Sequence, residues 1–85
     1  MRTFPSASLK NLEVLRLDET KVHDLSPLAG LENLQRLNLS ETEVSDLSPL
    51  AQLKNLWLLN LIGTKVTEEQ IDKLKLALPN CKISR

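Results

Sequence analysis

Aromatic residues are almost missing from this chain. Its 85 residues include no tyrosine, one phenylalanine (Phe4) and one tryptophan (Trp57), so a core must be built from aliphatic side chains. A single cysteine, Cys81, excludes an internal disulfide and any multi-cysteine zinc motif. A single histidine, His23, leaves no second imidazole for a metal pair. Gly30 and Gly63 stand alone, which excludes a glycine-rich phosphate loop. No apolar run approaches membrane-spanning length, and Met1–Ser8 lacks the hydrophobic stretch of a signal peptide, so the chain reads as soluble and cytoplasmic, without a membrane partner. Net charge is missing too: 11 basic residues balance 11 acidic ones, whereas a nucleic-acid-binding domain is expected to be basic.

That balance conceals a gradient. Residues 9–52 carry a net charge of −4 and residues 53–85 one of +3. Head-to-tail association could use the difference; solvated faces are the simpler reading. At this length the chain forms one small domain, which buries only about 60% of its unfolded surface and depends on efficient core filling.

What the chain has in abundance is leucine at a fixed period. Leu9-Lys-Asn-Leu12, Leu31-Glu-Asn-Leu34 and Leu53-Lys-Asn-Leu56 recur at a constant spacing of twenty-two positions. Segments 9–30 and 31–52 are identical at 14 of 22 positions. A leucine skeleton with this period marks a stacked solenoid. The segment LxxLxLxxTxV occurs at Leu12–Val22, Leu34–Val44 and Leu56–Val66. Within it Leu15-x-Leu17, Leu37-x-Leu39 and Leu59-x-Leu61 alternate with period two, which predicts short strands with one buried face. Each strand returns to the same place one repeat later, so the strands are parallel, and the length of the repeat leaves room for the crossover that parallel neighbours need. Ser26-Pro27 and Ser48-Pro49 predict an N-cap serine before a proline at the first helical position. Leu25, Leu28 and Leu31, with Leu47, Leu50 and Leu53, then point inward from about one turn, 3₁₀ or α.

The pattern LxxLxLxxTxVxDLSPLA resembles the leucine-rich repeat family, and in particular its 22-residue bacterial, internalin-like class. The direct match covers residues 9–66. The resemblance implies an α/β fold: a right-handed solenoid with a short parallel sheet, 3₁₀ or short helical turns on the convex side, and partners bound on the concave sheet face. One departure stands out: Thr20, Thr42 and Thr64 occupy the turn position where the family usually has asparagine, so only part of the amide's role passes to their hydroxyls.

The register extends past the obvious copies. Pro5 and Ala7 stand one full period before Pro27 and Ala29, so residues 1–8 read as a partial repeat with thin cover over the first strand. The chain then reads as a fragment of a longer array or as one with an edge for another chain. At the other end Thr67-Glu-Glu-Gln70 fits a capping box, Ile71, Leu74 and Leu78 share one helical face, and Pro79 stops the helix. Leu78, Cys81 and Ile83 stand one full period after Leu56, Leu59 and Leu61, which predicts a fourth strand in Asn80–Ser84 and puts Cys81 in a leucine slot. Residues 67–85 thus read as a C-terminal cap of helix and strand.

No catalytic constellation or cofactor motif emerges, so the chain is not expected to be an enzyme. His23 beside Asp24 reads as an exposed or capping residue. Ser26, Ser40 and Ser48 lack a base in register. Glu19, Glu41 and Glu43 could gather near the strand exits and hold a hard cation weakly, or simply be solvated. What remains is surface, and the positions between inward leucines align in columns: Val14, Arg36, Leu58; Arg16, Asn38, Asn60; Asp18, Ser40, Ile62; and a flanking column of Glu13, Gln35 and Trp57. Trp57 occupies no skeleton slot, and beside Leu58 and Ile62 it has hot-spot composition; alternatively it folds against Gln35 or the C-terminal helix and shields the edge. The expected function is a protein-interaction module presenting Arg16, Arg36, Asn38, Asn60, Trp57, Leu58 and Ile62, with Asp18 and Ser40 beside them, to a protein or peptide. The competing readings are a structural cap ending a longer array and self-association through the N-terminal edge.

Overall fold

The computed structural model describes residues 11–85. The partial repeat expected at residues 1–8, and the thin edge it would leave, lie outside them. Four short strands, β1 (Val14–Arg16), β2 (Arg36–Asn38), β3 (Leu58–Asn60) and β4 (Lys82–Ser84), form one parallel sheet in sequential order. The ladder runs on past these spans: Leu17 N–H donates to the Asn38 carbonyl at 2.8 Å, Leu39 to Asn60 at 2.9 Å and Leu61 to Ser84 at 2.7 Å. Two 3₁₀ turns, Ser26–Gly30 and Ser48–Gln52, make the first two crossovers, and helix α1 (Glu68–Ala77) makes the third. This is a leucine-rich repeat fold.

The core is the predicted leucine ladder. Leu34, Leu37, Leu39, Val44, Leu47, Leu50 and Leu53 are buried, as are Leu56, Leu59 and Leu61 one repeat on, with Ile71 and Leu74 of α1 and Leu78 at its C-cap closing over them. Period-two alternation puts the strand leucines on one sheet face, and leucine's two free rotors let successive rungs interlock without aromatic filler. In the first repeat Leu12, Leu15, Leu17, Val22 and Leu28 are only partly buried.

Three local expectations are corrected by the structure. The caps of the 3₁₀ turns come from aspartate, not serine. The Asp24 Oδ1 accepts from the Ser26 N–H at 3.0 Å and from the Ser26 hydroxyl at 2.7 Å, and Asp46 holds Ser48 the same way at 3.0 and 2.8 Å. Serine already sits inside the turn, so the acceptor two residues upstream is the one aimed at the free N–H. The Thr67 capping box is half formed: its hydroxyl accepts from the Gln70 N–H at 3.2 Å, but the Gln70 side chain accepts from the Leu47 N–H at 3.2 Å and ties α1 to the preceding repeat. The last strand is offset by two positions from the repeat period: Lys82 lies beside Leu58 and Ile83 beside Leu59. The longer helical crossover takes up the difference, and because a slip of two preserves side-chain alternation, Ile83 still points inward.

Threonine takes the part of the turn role expected of it, through a local bond within its own repeat. The hydroxyls of Thr20, Thr42 and Thr64 donate to the carbonyls of Leu17, Leu39 and Leu61 at 2.6, 2.6 and 2.7 Å. Thr42, only 4% exposed, is the buried polar side chain among the described residues. The residue before each threonine turns the chain with positive φ: 59° at Glu19, 57° at Glu41 and 79° at Gly63. Only glycine adopts that region without a Cβ penalty.

Candidate interaction surface

The face of the sheet opposite the leucine ladder carries the candidate residues. Pairing sets Val14, Arg36, Leu58 and Lys82 in one row, and Arg16, Asn38, Asn60 and Ser84 in the next. Lys82 and Ser84 join these rows because of the offset at the last strand, which sequence spacing alone assigned otherwise. Just before β3 the alternation breaks. The Gln35 carbonyl accepts from two successive N–H groups, Trp57 at 2.9 Å and Leu58 at 3.2 Å, and the Glu13 carbonyl does the same for Gln35 and Arg36 at 2.7 and 3.0 Å. Two donors opposite one acceptor bend the strand as a bulge does. That bend lets Trp57 reach the surface although Leu56 and Leu59 on either side are buried.

Trp57 remains 46% exposed, and the Arg36 guanidinium lies 5.7 Å from its ring centroid. The negative face of the indole attracts the cation and orients a side chain that would otherwise sample many rotamers. Among the described residues Arg36 donates to no oxygen acceptor. Arg16, in the next row, is different: its Nε and Nη2 donate to the two oxygens of Asp18 at 3.2 and 3.1 Å. That hydrogen bonding is the main reason the Asp18 carboxyl is held below the usual carboxylate range. Arg16 and Asp18 therefore neutralise each other.

Asn38 and Asn60 have a structural duty that their columns did not reveal. Each Oδ1 accepts the backbone N–H two residues on, Ser40 and Ile62 respectively, both at 3.0 Å. These bonds fix the strand exits and also fix the amide orientation, with oxygen toward the backbone and NH₂ away from it. Val14, Arg16, Arg36, Asn38, Leu58 and Asn60 line one shallow hollow of about 210 Å³. Trp57, Asp18, Ser40 and Ile62 lie outside its lining, and Trp57 borders it only through its contact with Arg36. Val14, half exposed on the first strand, belongs to this surface; its place between inward positions was the signal for it.

The remaining candidates fall elsewhere. His23 is exposed. Glu19, Glu41 and Glu43 line an open hollow together with Lys21, and among the described residues no three His, Cys, Asp or Glu side chains are grouped to hold a metal. Cys81 is buried, and burial pushes its thiol above the ordinary range, away from the reactive thiolate. No helix among the described residues is long and apolar enough to cross a membrane.

The family model described as leucine-rich repeats (two copies) matches residues 10–52. The chain belongs to the leucine-rich repeat family. Solved leucine-rich repeat proteins superpose on it closely. A leucine-rich repeat protein of Leptospira interrogans matches with a TM-score of 0.81 and 30% identity, over 96% of this chain and 22% of its own. Internalin C2 of Listeria monocytogenes matches at 0.76 and 38% identity, over 96% of this chain and 35% of its own. An internalin F of Listeria monocytogenes matches at 0.78 and 26% identity, over 92% and 22%. No curated protein sequence matches significantly. This leucine-rich repeat chain therefore spans between 22% and 35% of the solved relatives' lengths. Leucine-rich repeats are in general protein-interaction modules, typically without catalysis.

Proposed function

We propose that the chain binds a partner protein or peptide through the open, concave face of its sheet, without catalysing a reaction. One observation carries this reading: Trp57 is held half-exposed by the bend before β3 and braced by Arg36, beside a hollow lined by Val14 and Leu58. A large aromatic that fills no core slot, next to an arginine and aliphatics, has the composition of an interface anchor. In this reading residues 9–66 are the binding repeats and residues 67–85 a C-terminal cap. Asn38 and Asn60 fix the strand exits through their amide oxygens and keep NH₂ for a partner, and Arg36, Trp57, Leu58 and Ile62 make the other contacts. A photo-crosslinking residue at Ile62 on the sheet side, compared with one at Leu76 on the solvent side of α1, tests the reading. Partner capture at Ile62 alone supports it, and capture at Leu76 alone refutes it.

A second reading, self-association at the first repeat, is supported by the partly buried Leu12, Leu15 and Leu17, whose counterparts in the next repeat are buried. Light scattering over a concentration series tests it: a mass that stays monomeric at the highest concentration removes it.

A further inference from the structure

The sheet face offers hydrogen-bond donors with little to accept in return. Asn38 and Asn60 spend their amide oxygens on their own backbones, so what they turn outward is NH₂. The Arg36 guanidinium lies over the Trp57 ring with its N–H groups left for a further acceptor, and Lys82 follows Leu58 in the same row. The carboxylate on this face, Asp18, is taken by Arg16. Glu13 lies in the flanking column and forms no ion pair with Arg36 among the described residues. A chain with zero net charge thus carries an uncompensated cation at the centre of this surface, with Val14 and Leu58 beside it in the same hollow.

Resting on the concave-face reading, we infer that the partner segment is acidic: a carboxylate side chain, flanked by aliphatic ones, seats between the Arg36 guanidinium and the Asn38 and Asn60 amides. Charge and donor geometry carry the choice. A carboxylate accepts several N–H bonds at once, and charge-assisted bonds of this kind are about twice as strong as neutral ones. A basic or donor-rich segment would instead leave Arg36 facing like charge and both NH₂ groups without acceptors. The aliphatic flanks fill the Val14 and Leu58 positions of the hollow.

The test uses the intact chain and a synthetic ten-residue peptide in which Asp and Glu alternate with Leu and Val, compared with its Asn/Gln isostere and a Lys version. Nitrogen-edited NMR follows the side-chain amides of Asn38 and Asn60 and the Trp57 indole, and fluorescence follows affinity. The acidic peptide is expected to shift these signals saturably and to bind about tenfold tighter than the isostere, a preference that weakens as salt rises. Arg36→Gln is expected to bring the two peptides to about equal affinity while Lys75→Gln on α1 changes nothing, with both variants keeping the wild-type thermal midpoint. Equal binding of the acidic and amide peptides at the sheet face overturns carboxylate recognition but leaves concave-face binding standing. Tighter binding of the Lys peptide, binding elsewhere on the surface, or no binding of the acidic peptide also overturns the inference. Failure of the concave-face reading itself shows separately, in the crosslinking comparison at Ile62 and Leu76.

Discussion

Replacing Leu37 with alanine strikes the middle of the stack. Leu37 is 2% exposed and lies in register between Leu15 on one side and Leu59 on the other. The truncation removes about three methylene equivalents, worth roughly 2.4 kcal/mol at about 0.8 each. The strands on both sides are fixed by the ladder, so the void cannot fully collapse, and the total falls in the ~2–5 kcal/mol range of buried leucine truncations. A domain of this size has a total stability of about 4–13 kcal/mol, so the loss is a large share of it. A cost of about 3 kcal/mol lowers the thermal midpoint by roughly 12–24 °C. Position makes the prediction sharper. Leu15, the equivalent residue one repeat earlier, is only partly buried, so Leu15→Ala should cost about half as much. Leu76, 86% exposed on α1, should tolerate alanine within about 0.5 kcal/mol. Circular dichroism melts and urea titrations of the three variants measure the order. The reasoning is refuted if Leu15→Ala costs as much as Leu37→Ala, or if Leu37→Ala leaves the midpoint unmoved.

Three further predictions test the turns and caps. Thr42→Val keeps the side-chain shape but leaves the buried Leu39 carbonyl without its donor, costing about 1–3 kcal/mol, whereas the same change at exposed Thr20 costs less; urea midpoints compare them. Gly63→Ala forces a side chain into positive φ, and the Glu41 carboxylate beside it is the exposed end of a flexible side chain that can swing aside, so the backbone sets a cost of about 1–2 kcal/mol, and a midpoint equal to wild type would contradict the turn geometry. The carboxyls of Asp24 and Asp46 are held below their ordinary range, Asp24 chiefly by the Ser26 hydroxyl and Asp46 chiefly by the Ser48 backbone N–H. Because the folded values are lowered, their contribution is fully present above the unfolded value of about 3.9 and is lost as pH falls through the folded one. Urea midpoints between neutral pH and the acid end of the carboxylate range should therefore fall, and less steeply in an Asp24→Asn/Asp46→Asn double variant; equal slopes would remove the caps from the account.

The fold was legible because its signal is a period. Leucine at every inward position reports a two-residue alternation inside a longer repeat, and that combination admits few arrangements other than a parallel stack. The details that escaped depend on groups close in space whose partners spacing does not name. Asp24 and Ser26 both carry turn-forming side chains, and only the backbone path decides which of them reaches the free N–H. The two extra residues in the last connection are hidden because α1 rises less per residue than the irregular crossovers, so residue count alone cannot place Ile83 opposite Leu59. The surface was legible in its columns but not in its duties. Asn38 and Asn60 looked like free contact residues, yet each amide oxygen is committed to a strand exit. The Arg36–Trp57 stack joins two columns across a bend that exists only because one carbonyl takes two donors.

The central claim is that the sheet face binds and Trp57 anchors the partner. Its most direct test is the affinity of the crosslinked partner, once purified, for wild type, Trp57→Ala and Leu76→Ala, with thermal midpoints measured on the same samples. The account predicts that Trp57→Ala weakens binding by at least about 30-fold, the effect of losing a hot spot of about 2 kcal/mol, while its midpoint stays close to wild type and Leu76→Ala binds normally. Unchanged affinity with a lowered midpoint would make Trp57 an edge shield and contradict the claim.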